Sequence, residues 1–492
     1  MATVLGANSV VDSGFKVTNS VRFNDGDSSK MLKASSSVGN GYKGTLSAWV
    51  KRSAGLGVDQ QIIGQQDAGH ARIIFNNDNR LRCYGNNAGE NNAFDLASTA
   101  RFTDVGAWYH IVFAWDNTQG TAANRNKVYV NGVQLTDFAT ETYNPQNAQI
   151  GGGFFLDNKN LHVSGKSDGF FDGYMAEVVG IEGTTYAPTD FGEFDDDSAI
   201  WIPLESVADL TFGTNGFYLD FKVSGNLGND ANGGTDFTET NVAAIDQSTD
   251  TCTNNFCTLN AIDNYYAGAT LSEGNCKILC NGNNTSFITS TFGLSKGKWY
   301  WEAKLTTVGG EESVGITDLV STATDNYAGQ TANSYSFKGN NGNIRNDDDN
   351  TSYGSAYGTS VIGVYMDLDN NKLYFAINGT IQNSGTGYTI LAPNLTKAGF
   401  YFPAAADNYN GSSGTFRLNF GNPIYALSGI GSSGTYFIGC STGNNSEHYV
   451  NFGNPIFSIS SGNADGDGFG NFEYAVPSAY FALCPQNLAE NG

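Results

Sequence analysis

Apolar residues in this chain recur at every second position over runs of four to eight, and turn-forming residues end each run before a helical period can establish itself. A side-chain period of two places successive residues on opposite faces of an extended strand, so the pattern specifies half-buried β-strands joined by tight turns. Composition supplies both parts. Glycine contributes 62 of 492 residues and shares the turns with asparagine, while 25 Tyr and 32 Phe enrich the strands. Only 9 prolines exclude a proline-rich fibre, and 13% aromatic residues exclude a disordered chain. A length of 492 residues is too great for one compact core, so at least two domains are expected. Twenty-five basic against 48 acidic residues leave a net charge of −23. That charge repels phosphate backbones and anionic lipid, so neither nucleic acid nor a membrane is an expected partner.

The runs fall into groups. The first, residues 1–204, has its clearest strands at 44–52 (GTLSAWVKR), 107–116 (AWYHIVFAWD), 127–135 (KVYVNGVQL) and 172–181 (DGYMAEVVGI). Asn131-Gly132 marks a hairpin, because both residues tolerate positive φ. Pro188 ahead of Thr189 and Asp190 predicts one helical turn within 187–193. Residues 205–268 read as a connecting segment laid over a domain surface, with one strand-like island at 216–221 (GFYLDF). The second group, 269–421, has strands at 298–305 (KWYWEAKL), 313–317, 361–368 and 372–377, with a second hairpin at Asn378-Gly379. Residues 422–492 read as a β-rich extension ending in a strand at 480–484. A short repeat, NFGNPIY at 419–425 and NFGNPIF at 451–457, has too few copies for a solenoid.

No run approaches the roughly 18 apolar residues a spanning helix needs. The first residues, MATVLGAN, lack the basic region and long apolar run of a secretory signal. Seven cysteines (Cys83, Cys252, Cys257, Cys276, Cys280, Cys440 and Cys484) are too thinly spread for a disulfide scaffold and read as buried thiols. Cys252-x4-Cys257 and Cys276-x3-Cys280 approach zinc-ligand spacing. A strand at 276–280 would nevertheless hold its two cysteines about 13 Å apart, at roughly 3.3 Å per step, too far for one zinc ion.

Catalytic patterns are absent from the sequence. Glycan hydrolysis on a strand needs E-x-D-x-E or E-x-D-x-x-E, which sets two carboxylates on one face, and neither pattern occurs. The four histidines are His70, His110, His162 and His448, and no G-x-S-x-G elbow precedes a helix. His110 alternates within a strand and is expected to be packed. No residue is assigned a catalytic role, and the chain is read as a non-enzyme. Asn463-x-Asp465-x-Asp467-Gly468 matches the first half of a calcium loop. Its twelfth position is Tyr474, with Glu473 one short, so a plain acidic turn is the competing reading. Trp49, Trp108, Trp115, Trp299 and Trp301 all lie in strands and are expected in the core, so no sugar-contacting residue stands out.

Specific motifs add a resemblance. The WVKR-type strand, the W-x-H-I-V-F strand around Trp108 and His110, the VYVNG hairpin and FDGYMAEV at 171–178 make the first group similar to the LamG, or concanavalin A-like lectin/glucanase, superfamily. Gly297–Trp301 followed by Glu302, SVGIT at 313–317 and 361–371 with its DLDNN turn make the second group similar to a SPRY domain. Both resemblances imply jelly-roll-like β-sandwiches that present loops for binding, giving an all-β chain of two sandwiches plus a C-terminal β extension. The order of 186–203, 213–221, 249–264, the SPRY-like group and 468–488 resembles tailed-phage virion structural proteins of the tail-fibre or receptor-binding type. Cys252 and Cys257 depart from that pattern, in which Pro and Ala are commoner.

This resemblance implies a virion-surface protein made in the host cytoplasm without a signal peptide. Its partners would be other virion proteins and a host cell-surface glycan or protein. It would be a homo-oligomer, a trimer by analogy with fibres. No cofactor would be required, with calcium the candidate ion, held at Asn463, Asp465 and Asp467 or at Asp25, Asp27 and Asp172 on the sandwich rim. A head fibre or decoration protein and a glycan-cleaving enzyme are the alternative readings.

Overall fold

The computed structural model describes residues 3–4, 14–419 and 463–487, apart from 35–38, 66–69, 87–91, 151–153, 156–158, 197, 265–268, 281–285, 306–311, 319–326, 408–414 and 473–475. The described chain is all-β, with short 3-10 turns between strands. It divides into two compact units. One comprises Val11–Gln247 with Thr251–Thr253; the other comprises Met1–Val10, Ser248–Asp250 and Asn254–Gly492.

The first unit is a sandwich of two antiparallel sheets. Its back sheet runs Val133–Gln134, Asn126–Val130, Trp108–Asp116, Lys43–Arg52, Gly173–Glu182 and Ser20–Phe23, with Phe217–Leu219 also paired to Gly173–Glu182. Its front sheet runs Phe138–Thr142, Asn92–Arg101, Arg80–Asn86, His70–Phe75, Gln60–Gln65, Leu161–Val163, Lys30–Lys33 and Thr238–Thr240. Alternation explains the core. Leu46, Ala48, Val50, Ile111, Phe113 and Trp115 from the back sheet meet Ile73, Phe75, Leu81, Phe94 and Leu96 from the front. Asn131 and Gly132 turn the expected hairpin with φ of 48° and 78°. The expected helical turn is a 3-10 turn at Pro188–Asp190, where the Asp190 carboxylate accepts the Ala187 N–H at 2.7 Å.

Strands Lys43–Arg52 and Gly173–Glu182 are buried on both faces. Behind them Trp49, Trp108, Tyr174 and Ala176 pack with Trp201, and Val112, Val179 and Ile181 pack with Phe191, Val207, Phe212 and Tyr218. Phe191, Trp201, Val207 and Phe212 thus form a second layer over the back sheet. The segment 205–268, expected as a connector, is accordingly shared out. Phe217, Leu219, Phe221, Leu227, Phe237 and Val242 enter the main core of the first unit, while Leu259–Asn264 is an edge strand of the second. Its described aromatic residues, Phe212, Phe217, Tyr218, Phe221, Phe237 and Phe256, are buried in cores, which is why that stretch does not lie on a surface as a linker would.

The second unit is also a sandwich. One sheet runs Leu259–Asn264, Ser286–Ser290, Phe402–Asp407, Glu312–Thr317, Ser334–Lys338, Asn343–Asn346 and Asp349–Ser352. The other runs Ala269–Ser272, Lys277–Cys280, Thr415–Asn419, Lys298–Leu305, Val361–Asp367, Lys372–Ile377 and Thr380–Ile381. Asn378 and Gly379 turn the second hairpin at φ of 44° and 79°. Of the C-terminal extension, Asn463–Ala464 pairs with Asn471–Phe472, and the Phe472 ring meets Tyr300 edge-on at 4.9 Å. The expected strand at 480–484 is instead a curled stretch with a single bridge from Phe481 to Trp299. The curl follows from the Asp465 carboxylate, which draws in the N–H of Ala482 at 3.0 Å and the side-chain amide of Asn487 at 2.7 Å. The NFGNPI repeat lies outside the described residues except for Asn419.

Candidate binding face on the first sandwich

Three groups of polar residues decide what the first unit can do. The first is built around His110 on the back sheet. Trp201 Nε1–H donates to His110 Nδ1 at 3.0 Å, and His110 Nε2 lies 2.8 Å from Ser47 Oγ. An indole nitrogen only donates, so Nδ1 is the acceptor and Nε2 carries the proton toward Ser47. That tautomer cannot take a proton from Ser47, which is the opposite of a nucleophile–base pair. The imidazole stacks on Trp49 at 4.7 Å and on Trp201 at 6.0 Å, and burial pulls its pKa down to about 3. Glu177 lies beside it around a cavity of about 10 Å³, at the lower limit for one water. His110 is therefore a packed, neutral residue, as its alternation in the strand predicts.

The second group contains the calcium candidates. Asp465 is buried, and its carboxylate accepts Gly470 N–H at 3.0 Å in addition to Ala482 N–H and Asn487 Nδ2. A cation would have to displace three donors aimed at that carboxylate. Asn463 is half-buried and Asp467 exposed. Asp25 and Asp27 lie exposed on a 3-10 turn, where Asp27 accepts from Asn24 Nδ2 at 2.8 Å. Partial desolvation and the Asp27 carboxylate raise the Asp25 pKa, against a hydrogen bond from Gly26. Asp172 is buried near the Arg52 guanidinium, a cation where the calcium reading wants an anionic pocket. Among the described residues, no group of three or more His, Cys, Asp or Glu could hold a metal ion. Neither set fits calcium as arranged.

The third group was not singled out by the sequence. On the outer face of the front sheet, strand register places Gly64, Arg72, Tyr84, Asp95 and Thr142 side by side across five strands. Arg82, two residues along the Arg80–Asn86 strand from Tyr84, makes a two-point ion pair with Asp95 at 2.8 and 2.7 Å, and its guanidinium lies 4.2 Å from the Tyr84 ring centroid. The pair raises the Arg82 pKa. Arg72 Nε donates to Gln61 Oε1 at 2.7 Å, and His70 meets Tyr84 edge-on at 5.4 Å. Gly64 makes room for this arrangement, because a Cβ there would collide with the Gln61 amide. The planar Arg82 guanidinium carried on an aromatic ring, beside a fixed carboxylate, offers stacking together with paired donors. The only sequence signal is the alternation of polar residues in RLRCY and FDLAS (80–84 and 94–98), which marks an outward face without saying what lies beside it.

The five tryptophans expected in the core, Trp49, Trp108, Trp115, Trp299 and Trp301, are all buried. Tyr84, 7% exposed beneath Arg82 and His70, is buried as well, so the half-buried Arg82 and His70 are what this face presents to solvent.

Comparison with known proteins agrees with this architecture. Residues 24–180, which include the whole candidate row, match the family model of the concanavalin A-like lectin/glucanases superfamily, and residues 298–422 match the SPRY domain model. No curated protein matches the chain. Among solved structures, that of stonustoxin shares 19% identity over 33% of this chain, with a TM-score of 0.25, and the match spans 27% of the stonustoxin chain. The SPRY domain of human HERC1 shares 12% identity, with 31% of this chain and 93% of that domain covered and a TM-score of 0.26. A human SPRY domain shares 16% identity, with coverages of 31% and 95% and a TM-score of 0.24. The chain thus carries a concanavalin A-like lectin/glucanase-type domain followed by a SPRY domain.

Proposed function

We propose that this chain is a non-catalytic binding protein borne on the particle of a tailed phage, and that the front face of its first sandwich attaches to a glycan or protein of the host surface. The observation that carries the binding reading is the half-buried Arg82 backed by the buried row of Arg72, Tyr84 and Asp95, a polar and aromatic set on the outer sheet side of a lectin-type domain. The back sheet offers no equal, since Phe191, Trp201, Val207 and Phe212 cover it and its histidine has the wrong tautomer for a base. The phage setting is supported by the segment order on both sides of the SPRY domain. A homo-oligomer, by analogy a trimer, would multiply weak contacts into avidity, and the acidic charge of −23 keeps crowded copies apart.

Purified protein should bind host cells and release no reducing ends from their glycans. Tyr84→Ala and Arg82→Ala should each weaken cell binding by roughly tenfold or more, as for central aromatic and arginine anchors. Sugar release would replace the adhesin with a glycan-cleaving enzyme. Attachment only to capsid or tail components would make the chain a head fibre or decoration protein.

A further inference from the structure

The two arginines of the candidate face are held in different ways. Arg82 is neutralised by a buried carboxylate through two short hydrogen bonds. Arg72 is oriented from behind: its Nε donates to Gln61, whose amide nitrogen is in turn anchored on the Ser164 carbonyl, and one terminal nitrogen lies 3.4 Å from the Tyr84 hydroxyl. Its other terminal nitrogen faces the Asp168 carboxylate at 3.3 Å, and that side chain is 73% exposed. This distance exceeds the 2.7–2.9 Å typical of a charge-assisted bond, and the carboxylate is hydrated while the Arg72 side chain is only 10% exposed. Asp168 stands on a turn whose Gly169 has φ of 62°. A Cβ on Gly169 would lie 2.8 Å from the same Arg72 nitrogen, so the backbone passes close to it.

The surrounding charges are mixed, Arg72, Arg82 and Lys30 standing among Asp59, Asp95 and Asp168. Burial first, and then Arg72 and Arg82, lower the pKa of His70, against the opposing pull of Asp168. Lys30, two residues from Leu32 in the same cross-strand register, donates to the Lys166 carbonyl at 2.6 Å beside this turn. A pre-oriented guanidinium with a loosely held, solvent-facing carboxylate on its outer edge is a receptor for a second carboxylate.

We infer that the ligand of this face is an acidic glycan whose carboxylate replaces Asp168 on Arg72. The inference rests on the binding-face reading above and adds the class of ligand. Asp168 acts as an internal stand-in: it holds Arg72 in place and leaves when a uronate- or sialate-type carboxylate arrives at the same nitrogen. No bond is made or broken beyond the exchange of ion-pair partners.

The test is an array of uronate-, sialate- and ulosonate-bearing glycans, each with its carboxyl-reduced counterpart, probed with the full-length protein and three variants. Unaltered protein should prefer at least one acidic glycan over its reduced form by about tenfold. Asp168→Asn should strengthen that binding several-fold and leave the reduced form unchanged. Arg72→Gln should abolish the preference, while Tyr84→Ala should weaken both forms. Unfolding temperatures within a few degrees of the parent would show that each variant is folded. Equal binding of acidic and reduced forms, with Tyr84→Ala still damaging, would overturn the acidic class but keep the face. Indifference to both Tyr84→Ala and Arg72→Gln would remove the face as well. Binding to no acidic member, or weaker binding by Asp168→Asn, would also overturn the inference.

Discussion

Glu177 sits where the pairing of Gly173–Glu182 with Lys43–Arg52 slips between Ala176 and Val179, and its φ is 48°. A bulge of this kind re-aims one side chain, and here it turns a carboxylate into the layer behind the back sheet. The Tyr218 hydroxyl donates to it, which favours the charged form, but burial dominates and pushes the pKa up to about 7. A carboxyl group with a raised folded-state pKa prefers to be protonated in the folded chain. Its favourable contribution is full below the unfolded value, near 4.5, and is lost as pH rises through about 7. The interval corresponds to about 3 kcal/mol. His110 acts in the opposite direction, because a neutral buried imidazole costs stability as pH falls below about 6.5. Glu177→Gln should therefore raise the unfolding temperature of the first unit at pH 8 and change it little at pH 4.5. Thermal unfolding followed across that range checks this, and an unchanged pH profile would show that Glu177 is ionised at no cost.

At the scale of elements, the Asn131-Gly132 hairpin joins sequence to packing. Gly132 is needed twice: its φ is 78°, and a Cβ there would enter the Trp201 ring. Trp201 is the same side chain that fixes the His110 tautomer, so the turn and the buried polar cluster share a support. Gly132→Ala should cost about 2 kcal/mol or more, from an unfavourable left-handed backbone and the displaced indole. Gly385→Ala, in a turn of the second unit at φ of 79° with nothing within 4 Å of an added Cβ, offers a comparison for the backbone part alone. Chemical denaturation of both variants measures the difference, and equal losses would mean that Trp201 yields without penalty. Both hairpins were legible in the sequence because Asn-Gly carries its conformation locally. The candidate face was not. Arg72, Tyr84 and Asp95 are separated by a dozen residues or so at each step, and strand register alone makes them neighbours. Asp465 shows the converse: its local spacing imitates a calcium loop, yet distant donors at Ala482 and Asn487 take up its carboxylate.

For the whole molecule, the distribution of core residues determines where the chain can be cut. The strands with motif signals end near 182, and the layer behind the back sheet is only begun by 204, since Val207, Phe212 and Tyr218 follow. A fragment ending at 204 lacks Phe217, Leu219, Phe221, Leu227, Phe237 and Val242, all buried in the main core. It also lacks Thr238–Thr240, which pairs with Lys30–Lys33 at the edge of the front sheet. At roughly 1.5–3 kcal/mol for each large apolar side chain, six such losses amount to about 9–18 kcal/mol. That matches or exceeds the whole stability of a typical domain, about 5–15 kcal/mol. Aromatic anchors in a Gly- and Asn-rich segment look alike whether they rest on a surface or complete an interior, so the sequence could not place this boundary. A fragment of residues 11–253 should unfold in one cooperative transition with native near-UV dichroism from its buried tryptophans, and residues 11–204 should show neither property. If the shorter fragment unfolds as cooperatively as the longer, then 205–247 is an ornament on the first sandwich, and the outer-face ladder does not depend on it for its shape.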